Sequence, residues 1–126
     1  MKVLIVGGSG VAGQCAIRAV RQFDPQSEIW ASSSKDADVA GADHTVHAVD
    51  MNKPDGLAPL LALTEKFDYL FHTPAFGSVG APVAEATKPE VESALQFCLQ
   101  PMVQLTEKLR PKMTVAYTAY YFKPHL

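Results

Sequence analysis

Lys2-Val3-Leu4-Ile5-Val6-Gly7-Gly8-Ser9-Gly10-Val11-Ala12-Gly13 decides the fold. A β-branched apolar run ends at a cluster of glycines, and a helical pattern starts straight after it. Gly7, Gly10 and Gly13 recur every third residue, a tighter relative of the dinucleotide fingerprint that follows a first buried strand. Each glycine has a separate physical task. Gly7 lets the chain turn off the strand end in a conformation that other residues resist. At Gly10 the missing side chain lets backbone approach a pyrophosphate, and at Gly13 it lets the helix lie close on the sheet. A phosphate there would meet unpaired N–H groups at the positive end of the helix dipole. A tight strand-to-helix turn with no ligand is the plainer reading of the same residues.

Working outward, strand and helix patterns alternate. Lys2–Val6 reads as a strand, and Gly10–Phe23 as a helix with Val11, Cys15, Ala16, Ala19 and Val20 on its apolar stripe. Glu28–Ala31 is a second strand, followed by the polar loop Ser32-Ser33-Ser34-Lys35, with one loose helical turn expected over Asp36–Gly41. His44–Val49 alternates as a third strand, Pro54–Lys66 fits a helix with Leu57, Leu60, Leu61 and Leu63 inward, and Asp68–His72 is a fourth strand. The Thr73–Lys88 connector holds Pro74, Gly77, Gly80 and Pro82 and is expected to face solvent. Pro89–Leu109 is the longest helix, interrupted at Pro101, and Met113–Phe122 is a fifth strand. Such alternation implies an α/β fold, a doubly wound, Rossmann-type parallel sheet with helices on both faces. Right-handed crossovers give strand order 3-2-1-4-5, with the ligand site at the switch point beside the first strand.

At 126 residues, 48% hydrophobic, the chain suits one domain, 1–126, with a real core. Its formal net charge of −2 offers no basic field for nucleic acid or an anionic membrane. No apolar stretch approaches the ~20 residues that span a bilayer, and the glycine-broken N-terminus is not a signal peptide. A cytoplasmic location is the expectation. Cys15 and Cys98 stand far apart with no metal-ligand spacing, so no metal is expected and Cys15 reads as a small core residue.

Four stretches together resemble the short-chain dehydrogenase/reductase superfamily. Gly7-Gly8-Ser9-Gly10-Val11-Ala12-Gly13 is similar to its glycine motif, and Asp50-Met51 sits where the family has an acidic residue beside the adenine. His72-Thr73-Pro74-Ala75 falls on its Asn-Asn-Ala-Gly segment, and Pro82–Thr87 through Leu109–Met113 resembles the long helix leading to the catalytic strand. The resemblance implies a nicotinamide cofactor held by Gly7, Ser9, Gly10, Val11, Ala12, Gly13, Asp50, Met51, Thr73, Pro74 and Ala75. It also implies hydride transfer to or from a carbonyl or alkene carbon of a small-molecule substrate. A homo-oligomer is compatible with it.

The departures are as informative. The helix position that carries the family's proton-relay asparagine is Cys98, a poor donor and acceptor. Thr118 is the nearest hydroxyl to the catalytic serine's place, with Ala119 the alternative register. No tyrosine is followed by lysine four places on, so the acid and its lysine are absent. The chain is therefore either the cofactor-binding part of a longer enzyme or a non-catalytic dinucleotide-binding sensor.

The residues also bear on which dinucleotide binds. A carboxylate that holds the ribose of NAD stands at the end of the second strand, about 20 residues past the glycines, but Ser33 falls there and none follows it until Asp36. Ser32, Ser33, Ser34 and the Lys35 ammonium suit a 2′-phosphate, so NADP is expected over NAD. Asp50 reads as an adenine contact or a turn-forming carboxylate. His72 reads as a cofactor-facing polar residue or a satisfied strand-end histidine. Tyr117, Tyr120 and Tyr121 read as packing, and His44, His47 and His125 have no partner spacing.

Overall fold

A computed structural model describes residues 1–74 and 87–116. Ala75, Gly77, Gly80, Pro82, Tyr117, Thr118, Ala119, Tyr120, Tyr121 and His125 lie outside the described residues. Five parallel strands form one sheet in the order β3-β2-β1-β4-β5: β1 Lys2–Val6, β2 Glu28–Ser32, β3 His44–Val46, β4 Tyr69–His72 and β5 Met113–Ala116. This is the Rossmann-like α/β fold. In β1, Val3 through Val6 are completely buried, as a parallel strand covered on both faces must be. Val3 and Ile5 join Ile29 and Ala31 on one face, under Ile17 and Val20 of helix α1 (Val11–Phe23). Leu4 and Val6 join Leu70 on the other, under Leu60 of α2 (Ala58–Leu61) and Leu105 and Leu109 of α4 (Gln100–Leu109).

Several elements differ from the sequence expectation. Helix α1 buries Gly13, Ile17 and Val20, whereas Val11 is 85% exposed and Cys15 is exposed. Close contact at Gly13 fixes which side of the helix meets the sheet, and it turns Val11, Cys15 and Ala19 outward. The Cys15 sulfur accepts a hydrogen bond from Arg18 at 3.3 Å instead of filling the core. Strand β3 stops at Val46 because Ala48 adopts a left-handed φ of 60°, which an extended chain cannot continue. Residues 36–41 run from a bend at 36–37 through irregular chain to a turn at 40–41, with no helix. The helix expected over Pro54–Lys66 shrinks to the single turn α2: Pro59 removes an N–H donor, and Gly56 is wedged against the Asp50 carbonyl. Its leucines still pack inward, with Leu60 fully buried.

The long helix is divided into α3 (Lys88–Ala94), a π-helical turn (Leu95–Leu99) and α4. A capping box starts α3: Thr87 Oγ1 accepts the Glu90 N–H, and Glu90 accepts the Thr87 N–H. Pro101 has no N–H to return to the Phe97 carbonyl, so the α pattern cannot run through this point.

Candidate functional site

The glycine turn lies at the carboxyl end of β1, where the sheet order reverses. Gly7 takes φ +78°, and its carbonyl accepts the Gly10 N–H at 3.2 Å. Thr73 ties β4 to this turn: its hydroxyl donates to Val6 O at 2.6 Å and lies 3.2 Å from Gly7 O. Ser32 closes the turn from β2, its hydroxyl accepting the Gly7 N–H at 3.0 Å and its carbonyl the Gly8 N–H at 3.0 Å. Helix α1 then begins with Gly10 as N-cap, in an extended conformation and with no side-chain cap. Its first turn holds no acidic residue. The N–H groups of the first turn therefore point outward without a side-chain acceptor, as an anion would need.

An open groove of about 1240 Å³ runs over this turn. It collects Gly7, Ser9, Gly10, Val11 and Ala12 with Ser32, Ser33, Ser34, Asp50, Met51, Thr73 and Pro74. Gly13 and Lys35 do not line it. Gly13 lies beneath the helix, where a Cβ would stand 2.2 Å from Gly7 O. Lys35 is the next exposed residue after Ser34, and its N–H is held by Ser33 Oγ at 3.0 Å. Ser32 and Ser33 are buried, leaving Ser34 as the exposed serine of the loop. Asp50 does form a turn, since Oδ1 accepts the Asn52 N–H at 2.9 Å, and it borders the groove as well. Cys98 stands near the same end of the sheet, its sulfur 4.0 Å from Pro74 O.

Sequence reasoning missed Phe97, which reaches the groove from the π turn, and Val49 and Asn52 beside Asp50. No pattern marks them: they arrive through the turn that Ala48 begins and through the widened helix. It also missed the role of His47, whose ring bridges Lys35 O at 3.0 Å and Asp38 at 2.9 Å. These neighbours hold its pKa above the ordinary histidine value, the Lys35 carbonyl most and the Asp38 carboxylate next.

His72 differs from both of its readings. It is 2% exposed, does not line the groove, and neither ring nitrogen has a hydrogen-bond partner among the described residues. Burial pushes its pKa down to about 4, while the Phe97 carbonyl pulls weakly the other way without meeting hydrogen-bond geometry at either nitrogen. The unfolded chain takes up this proton near pH 6.5 and the folded chain only near 4, so acid favours unfolding. Stability is complete above pH 6.5 and should fall as the pH drops from 6.5 to about 4. The loss is about 1.4 kcal/mol per pH unit at most. Urea midpoints measured across that window should decline for the wild type and much less for His72→Leu. Parallel declines would show that His72 does not carry the effect.

No group of His, Cys, Asp or Glu side chains among the described residues could hold a metal ion, and no described helix is long and apolar enough to cross a membrane.

No family model and no curated protein matches the sequence. Solved structures do match the fold. A short-chain dehydrogenase family protein from Francisella tularensis superposes with a TM-score of 0.66 at 15% identity, over 86% of this chain and 45% of that one. The NADH-dependent reductase A1-R′, complexed with NAD, gives 0.65 at 15% identity, over 86% and 50%. The RhlG protein of Pseudomonas aeruginosa, in a complex with NADP, gives 0.65 at 20% identity, over 87% and 46%. The chain thus spans about half the length of these proteins, and what it shares with them is the fold.

Proposed function

We propose that residues 1–126 form a nicotinamide-dinucleotide-binding domain, the cofactor half of an oxidoreductase of the short-chain dehydrogenase/reductase type. The observation that carries this reading is the uncapped N-terminus of α1 opening into the groove at the switch point. The donor set fits a pyrophosphate. The space over Gly10 is open, since a Cβ there would meet only Gly7 O at 3.5 Å, and the first-turn N–H groups face it. Ser9, Val11 and Ala12 would line the pyrophosphate, Asp50 and Met51 the adenine, and Thr73 and Pro74 the nicotinamide side, with Gly7 and Gly13 shaping the turn. Ala75 and Thr118 keep the roles that the family resemblance implies. The bound nicotinamide supplies the hydride for a carbonyl or alkene substrate. The chain's own residues bind and orient it and keep one face of the groove apolar through Phe97 and Val49. NADP is the preferred dinucleotide in this reading, and the cytoplasm its setting.

A second reading, a non-catalytic dinucleotide sensor, rests on Cys98 in the place of a relay asparagine. The two part on chemistry: the oxidoreductase reading requires a general acid supplied beside this groove, and the sensor reading does not.

Calorimetric titration with NADP⁺ and NAD⁺ tests the domain's role. NADP⁺ should bind about tenfold tighter, because Ser34 and Lys35 offer an exposed, partly screened contact to the 2′-phosphate. Lys35→Ala should erase part of that preference and leave NAD⁺ unchanged, and Ser34→Asp should weaken NADP⁺ by charge repulsion. Equal affinities for both dinucleotides in the wild type would show that this loop is only polar surface.

A further inference from the structure

The loop that follows β2 is clasped by β3 and the residue that follows it. His47 holds it at two points, Lys35 O at 3.0 Å from Nδ1 and Asp38 Oδ1 at 2.9 Å from Nε2. Thr45 Oγ1 holds it at a third, accepting the Val39 N–H at 2.9 Å. The two partners of the imidazole are a carbonyl and a carboxylate, and both can only accept. Neutral histidine has one N–H, so it satisfies one partner and turns a lone pair toward the other. The imidazolium donates to both.

We propose that His47 sets the dinucleotide preference of the groove: as the imidazolium it closes the clasp on the loop that carries Ser34 and Lys35 and adds positive charge beside the place of the 2′-phosphate. The inference rests on the dinucleotide reading above. Around the ring the loop contributes the Asp38 and Asp36 carboxylates and the Lys35 carbonyl. Helix α1 presents to this loop a neutral group, the Gln14 amide that donates to Ala40 O, and β3 presents the Thr45 hydroxyl. With the ring neutral, the Asp36 and Asp38 carboxylates are not offset by the imidazole, and a doubly charged phosphate beside this loop is disfavoured. With the ring protonated, its charge offsets one of the two carboxylates. NAD carries no 2′-phosphate and should be nearly indifferent.

Affinities of NADP⁺ and NAD⁺ measured by calorimetry at pH 6.0 and 8.5 in fixed salt, for wild type, His47→Asn and His47→Arg, test this. The free 2′-phosphate titrates near pH 6, and that contribution is common to every variant. The NADP⁺/NAD⁺ ratio of the wild type, divided by that of His47→Asn, should therefore fall about fivefold between the two pH values. His47→Arg keeps its charge and should hold the preference at both. A structural role alone would not move a second readout: by linkage, NADP⁺ should raise the His47 titration midpoint seen by NMR more than NAD⁺ does. A His47→Asn ratio that tracks the wild type at both pH values, or equal NMR shifts with the two dinucleotides, overturns the inference alone. Failure of both dinucleotides to bind at either pH overturns the dinucleotide reading and this inference with it.

Discussion

Gly13→Ala should lower the stability of the fold by roughly 4 kcal/mol, close to the upper end of what one substitution does. In an ordinary helix interior the same change is favourable, because alanine loses less backbone entropy. Here the new methyl would stand 2.2 Å from Gly7 O, 2.7 Å from Gly8 Cα and 2.9 Å from Gly7 C. All three are backbone atoms of the turn, and that turn is held by Thr73 and Ser32. It cannot swing aside as a side-chain tip could. Either α1 lifts from the sheet, exposing Ile17 and Val20, or the turn loses its bonds to β2 and β4. Total stability of a domain this size is typically about 5–15 kcal/mol, so the variant should be largely unfolded at modest urea. Gly10→Ala is the control: its Cβ meets only Gly7 O at 3.5 Å, and the φ of −78° suits any residue. A Gly13→Ala midpoint equal to that of Gly10→Ala would mean that the helix does not rest on the turn.

Gly10→Asp should act in the opposite way, abolishing dinucleotide binding while sparing the fold. Gly10 is the N-cap of α1, a position where aspartate is among the preferred residues. The new carboxylate would accept the first-turn N–H groups and so occupy the place of an incoming phosphate. It would also set a like charge against the pyrophosphate. Losing these donors and meeting that repulsion costs several kcal/mol, a loss of at least about a hundredfold in affinity. Thermal unfolding should be unchanged or slightly raised. Wild-type affinity in a folded Gly10→Asp protein would place the ligand elsewhere.

The sheet was legible because its signals are local and repeated. Val3–Val6 is apolar without alternation, and each strand that follows is set off by glycine, proline or a polar loop. The floor of the groove was legible too, since twelve residues anticipated there from Gly7 to Pro74 do line it. What escaped was decided by single backbone events. Ala48 at φ 60° ends β3 early and throws Val49–Asn52 across the groove, and alanine gives no hint of that conformation. At Pro59 one missing N–H outranks the well-spaced leucine stripe of Pro54–Lys66, and the helix there is a single turn. The exposed face of α1 carries apolar residues too, and apolar spacing alone cannot tell a sheet-facing stripe from one facing a groove. Gly13, the residue that sets the contact, has no side chain to show in such a pattern.

The π turn at Leu95–Leu99 amounts to one residue inserted into an otherwise α-helical segment. Counting forward from Thr87 and counting backward from Pro101 therefore assign different residues to the same point on the helix surface. A continuous α-helix laid over the first half would pair Cys98 with a given position; laid over the second, it would pair Leu99 with it. Any alignment of this chain with straight-helix proteins needs a one-residue gap here. Where that gap is placed decides which side chain is compared with the relay asparagine.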